Sequence, residues 1–117
     1  MIIHILPLSK TTKVLVTGPT ANMLSVLNGG WTITWQGNEE SAYPQEKNTV
    51  LEAIQNKIGS ENVNYVEGTS FDKVINTSKA VSEAKNSDVV IRWRGEAAYC
   101  ETPGRIFELT LNKSQLE

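Results

Sequence analysis

Along this chain the hydrophobic positions alternate between short unbroken runs and helical spacings, and each change of period predicts the boundary of an element. Lys13-Val-Leu-Val-Thr17 is a compact apolar run stopped by Gly18-Pro19, which predicts a buried strand entering a strand-to-helix turn. Thr20 or Asn22 is placed to cap a short helix through Met23, Leu24 and Leu27, closed by Asn28-Gly29-Gly30. Trp31 to Gly37 has no regular period, and a polar loop runs on to Lys47.

The strongest helical signal follows. Thr49-Val-Leu-Glu52 has the capping-box pattern, Val50, Leu51, Ile54 and Ile58 share a face, and Gly59 is the stop. Val63-Asn-Tyr-Val66 predicts a second strand ending at Glu67-Gly68. Ile75 to Lys85, with Ala80, Val81 and Ala84 inward, predicts a second main helix, and Asp88 to Arg94 a third strand. Strands alternating with helices over short connections predict a three-layer α/β/α sandwich with a mainly parallel sheet. The third strand puts Val89, Ile91 and Trp93 on one face but Val90, Arg92 and Arg94 on the other. A strand covered on both faces would be apolar on both, so the second face is expected to lie open to solvent, a partner or acidic side chains.

Length and composition narrow the class. With 117 residues the chain makes one domain, and a net charge of −2 with 21% charged and 39% apolar residues is that of an ordinary globular sequence. No basic stripe points to nucleic acid, and no apolar run is long enough to span a membrane. Cys100 and His4 are the single members of their types, which excludes an internal disulfide and argues against a metal site or a Cys-His nucleophile pair. Met1 to Lys10 lacks the basic leader and small-residue cleavage site of a signal peptide. No cofactor is expected: Gly18-Pro-Thr-Ala21 lacks the glycine pattern of a phosphate-binding turn, and Pro19 removes a donor.

Candidate chemistry gathers at Gly95-Glu-Ala-Ala-Tyr-Cys-Glu-Thr-Pro-Gly104, which leaves the third strand at the end of the sheet where α/β proteins bind ligands. Glu96 and Glu101 are either solvated loop carboxylates or a site in which one serves as a general acid in an aromatic-lined pocket, with Tyr99 and the tryptophans as lining. Trp31 and Trp35 lie four apart in a glycine-rich segment; Trp31 is expected to be structural and Trp35 exposed as a platform for a sugar ring.

Taken together, Ile5-Leu-Pro-Leu-Ser-Lys10, Lys13-Val-Leu-Val-Thr-Gly-Pro19, Gly29-Gly-Trp-Thr-Ile-Thr-Trp-Gln-Gly37, Thr49-Val-Leu-Glu-Ala-Ile54 and the Gly95–Gly104 loop resemble the second domain of glycoside hydrolase family 3, in its β-glucosidase and exo-β-glucanase branch. In that family a TIM-like barrel supplies an aspartate nucleophile and the α/β sandwich closes the pocket with the acid/base glutamate. The resemblance implies Glu101 as acid/base, Trp35 and Tyr99 as substrate-binding residues on the aglycone side, and Glu96 as a supporting carboxylate. It also implies a β-linked glucoside or oligosaccharide as substrate, a barrel domain in cis as partner, and a parent enzyme of the periplasm or cell exterior. The chain then covers a partial sandwich domain without the nucleophile, so it is expected to be inactive alone and to self-associate through an uncovered apolar surface. Arg105 and Phe107 stand where relatives tend to carry Asn and Asp. A non-enzymatic sugar- or partner-binding α/β module is the alternative reading, and a flavodoxin-like nucleotide binder a fainter one.

Overall fold

A computed structural model describes residues 6–99, 101 and 110–116; His4, Cys100, Arg105 and Phe107 lie outside the described residues. The centre of the molecule is β1 (Val14–Thr17), buried at every position. It is flanked by β2 (Val63–Val66) and β3 (Val89–Arg92) in a sheet of order β2-β1-β3. Both pairings are parallel, with Val14 opposite Val63 and Val89 and Thr17 opposite Val66 and Arg92. The apolar run of β1 earns the central place because only a central strand is covered on both faces.

One helix covers each face. In α1 (Val50–Ile58) the capping box closes as its sequence predicts: Glu52 N–H donates to Thr49 Oγ1 at 3.2 Å, and Thr49 N–H donates to Glu52 Oε2 at 2.7 Å. Gly59 ends the helix at φ +88°, a conformation that favours glycine. Leu51, Ile54 and Ile58 pack on Val14, Val16, Val63, Tyr65 and Ile91 to make the main core, while Val50 is only half-buried. On the opposite face α2 (Thr77–Ala84) lies over Leu15, with Ala80 and Ala84 half-buried.

Several boundaries differ from expectation. Helix α2 starts at Thr77 rather than Ile75, because Asn76 Oδ1 accepts Lys79 N–H at 3.3 Å and caps it there. Val81 points outward, 53% exposed, as is its sheet neighbour Val90 at 46%. The cause is topological: α2 packs against β1 and β2 and leaves this face of the edge strand β3 without a helix over it. The open second face read from Val90 and Arg92 is therefore observed, with Arg92 Nη2 donating to the Gln115 backbone carbonyl at 2.7 Å. The segment after Gly18-Pro19 forms only a single 3₁₀ turn, Ser25–Leu27, and neither Thr20 nor Asn22 caps it. Asn22 Oδ1 instead accepts the Thr49 hydroxyl at 3.1 Å.

Strand β3 stops at Arg92, short of Arg94. Trp93 N–H still donates to Thr17 O at 2.8 Å, but there β1 has already turned away. Gly18 makes that turn at φ +106°, with the Trp93 carbonyl oxygen 1.9 Å from where a Cβ would stand. Any side chain at this position would collide with backbone, so glycine is what lets the first turn and the exit of β3 lie side by side.

Candidate functional site

At the carboxyl ends of the strands, a cleft of about 560 Å³ opens between three segments. One wall is the loop after β3, contributing Glu96, Ala97, Ala98 and Tyr99; a second is the glycine-rich segment with Gly29, Gly30, Gln36 and Gly37; Met23, Ser25 and Phe71 close the remainder. A cleft at this end of a parallel sheet is where such folds bind ligands, because the loops there are free of sheet pairing.

The loop after β3 is fixed at its base and spread at its tip. Gly95 lies against buried Thr20, whose Cγ2 would be 2.6 Å from a Cβ at that position. Beyond it the Tyr99 hydroxyl donates to Glu96 Oε2 at 2.5 Å, joining two of the sequence-predicted residues on the cleft wall. The hydrogen bond to Glu96, then the charge of that carboxylate and then desolvation, raise the Tyr99 phenol above its ordinary value. Glu101 follows as an exposed residue at φ +56°. Among the described residues it does not line the cleft.

The facing segment is held from below. Tyr43, 6% exposed, donates its hydroxyl to Gly37 O at 2.7 Å and occupies the space under the turn. The indoles lie on the outside: Trp31 is 69% exposed and Trp35 46%, their rings 6.5 Å apart and tilted at 51°. Trp35 is exposed as expected, but Trp31 is not the structural member of the pair. Tyr43 fills that role. Trp31 and Ile33 both have φ +64°, and with Glu101 they are the non-glycine residues of positive φ among those described. All three lie in the two loops that approach the cleft. Such conformations persist only where surrounding structure imposes them, and they gather at functional sites.

Two polar residues that the sequence did not flag organise these walls. Glu40 accepts the backbone N–H groups of Leu24 at 2.6 Å and Ser25 at 2.9 Å, pinning the turn that carries Met23 and Ser25. Partial burial pushes its carboxyl up, but the Ser25 hydroxyl and the two amides outweigh this and hold it below its ordinary value. Gln115, 2% exposed, lies behind the loop after β3 and hydrogen-bonds to it. Glu40 reads in sequence as one of a polar pair, and Gln115 as part of a polar tail; neither carries a local signal of its contacts. Among the described residues no group of His, Cys, Asp and Glu could hold a metal, and no helix is long and apolar enough to cross a membrane.

The family model described as "Glycosyl hydrolase family 3 C-terminal domain" matches residues 3–116. The chain is 37% identical to a lysosomal beta glucosidase of Dictyostelium discoideum over 121 aligned positions, covering 97% of this chain and 15% of that protein. It thus spans about a seventh of the length of that relative.

Proposed function

Since the chain belongs to the glycosyl hydrolase family 3 C-terminal domains, we propose that it forms one side of the active site of a retaining β-glucosidase-like enzyme. The observation that carries this reading is the cleft at the carboxyl ends of the strands, with Glu96 and Tyr99 in one wall and Gly29, Gly30, Gln36 and Gly37 in the other, Trp35 standing beside Gln36 outside the lining. Glu101 is the acid/base: protonated, it gives its proton to the leaving glycosidic oxygen, and as carboxylate it then takes one from the attacking water. The nucleophilic carboxylate that forms the glycosyl-enzyme comes from a barrel domain in cis. Glu101 is exposed and so open to such a facing domain. Trp35 and Tyr99 flank the aglycone-side sugar, and Glu96 holds the Tyr99 hydroxyl in place. The substrate is a β-linked glucoside or oligosaccharide, no cofactor takes part, and the chain alone does not turn over substrate because the two carboxylates act as one unit.

The test uses the complete polypeptide that includes the barrel. Glu101→Ala should reduce hydrolysis of natural disaccharides by roughly the 10²–10⁴-fold typical of general-acid catalysis, with a far smaller effect on glycosylation by a dinitrophenyl glucoside, whose leaving group needs no proton. Azide should then restore turnover of the glycosyl-enzyme. If Glu96→Ala shows this leaving-group dependence and azide rescue while Glu101→Ala does not, the roles of the two carboxylates are reversed.

A further inference from the structure

Gln115 makes a set of contacts that its place in a polar tail does not foretell. Its side-chain Oε1 accepts Gly95 N–H at 3.1 Å, and its Nε2 donates to Gly95 O at 2.9 Å and to Phe71 O at 3.0 Å. The carboxamide thus copies a peptide group, pairing with both backbone atoms of Gly95 as a neighbouring strand would. Its second amide hydrogen ties the same point to Phe71 on a different wall of the cleft. The amide orientation is dictated by its partners, since the reversed one would set N–H against N–H and carbonyl against carbonyl. At 2% exposure water cannot take over these bonds.

On the other side lies the buried Thr20, whose Cγ2 would stand 2.6 Å from a Cβ at Gly95. Gly95 is therefore clamped between Thr20 and Gln115, and Glu96 is the next residue along. We infer that Gln115 is a positioning residue: its carboxamide fixes the Gly95 peptide relative to Phe71 and so sets where Glu96 and Tyr99 stand in the cleft and from where the loop runs on to Glu101. The catalytic consequence rests on the proposed role of that loop; the clamp itself does not.

The isosteric substitution Gln115→Glu separates position from packing. An ionised carboxylate still accepts Gly95 N–H but faces the Gly95 and Phe71 carbonyls with no hydrogen to offer, whereas the protonated acid regains one donor. In the complete polypeptide, kcat for an alkyl glucoside should fall about 10²-fold near neutral pH, the cost of a displacement of about 1 Å in a reacting group. KM should stay nearly constant and a dinitrophenyl glucoside should be much less affected. The ratio of variant to wild-type kcat should recover as pH falls through the new carboxyl's titration, and Gln115→Met, which has no donor at any pH, should show no such recovery. Wild-type kcat in the folded Glu and Met variants, or an equal loss on both substrates with no pH-dependent recovery, would overturn the inference. Amide hydrogen exchange in the wild-type protein supplies a measurement that needs no variant to fold: Gly95 N–H should be protected relative to Ala97, and an unprotected Gly95 overturns the clamp. Glu101→Ala, assayed in parallel, separates the two claims: absence of leaving-group dependence there refutes the acid/base reading, while Gly95 protection still decides the clamp.

Discussion

Replacing Glu40 with Gln tests whether a single carboxylate holds the floor of the cleft. The side chain keeps its size, but one oxygen becomes an NH₂ group that meets the N–H of Leu24 or Ser25 donor to donor, where the carboxylate accepted both at 2.6 and 2.9 Å. Hydrogen bonds to a charged group contribute about 1.5–3 kcal/mol each. Glu40 is half-exposed, so water replaces part of this, yet Leu24 and Ser25 are buried and their amides are poorly placed to reach solvent. The expected loss is about 2 kcal/mol, which lowers the melting temperature of a domain of this size by roughly 6–12 °C.

The pH dependence gives the same argument a sign. The folded-state value of Glu40 lies below the ordinary 4.5, so its contribution is complete above that value and disappears as pH falls through the folded one. Urea unfolding of wild type and Glu40→Gln should therefore give a constant difference from neutral pH down to about 5 that narrows on further acidification. Equal stabilities at neutral pH, or a difference that widens in acid, would refute the capping role.

The Tyr99–Glu96 bond makes a second titration readable: Glu96→Gln should bring the Tyr99 phenol down toward its ordinary value of about 10, followed by its ring signals in an NMR titration. In wild type that bond is present below the ordinary value and is lost as pH rises through the raised one; an unchanged Tyr99 titration in Glu96→Gln would show that the carboxylate is not the cause. Self-association of the isolated chain through the exposed Val81–Val90 face should appear by light scattering and weaken about tenfold on introducing lysine at either position. A monomer at high concentration would count against it.

The parts of the fold legible in sequence are those whose cause is local. The capping box at Thr49, the Gly59 stop and the unbroken run of β1 each specify structure within a few residues, and strands alternating with helices leave few topologies but a parallel sheet. The loop after β3 stands out in sequence because a strand exit with two carboxylates and a tyrosine is unusual in composition, and the structure joins Glu96 to Tyr99 there. What the pattern could not reveal depends on partners distant in sequence. Glu40 acts on residues 15 and 16 positions away, and Gln115 on residues 20 and 44 away, without any periodicity. The exposure of Trp31 belongs with these, since the buried ring that bonds to this segment is Tyr43, outside it in sequence. Outward-facing Val81 follows from strand order, which places β3 at an edge.

The central place of β1 also shapes how the chain reaches its native state. The residue just before it, Lys13, bonds to Asn62 and Asp88, 49 and 75 positions later in the sequence. Of the three strands described, β1 is synthesised before both of its neighbours, and its Val14-Leu15-Val16 run waits with two bare edges until β2 and β3 follow. Loop-closure entropy for both ladders must be met before either is rewarded, which makes slow folding and intermolecular pairing of β1 the characteristic hazards of this topology. Synthesis rate across the segment between β2 and β3 becomes a determinant of yield, independent of how stable the finished domain is.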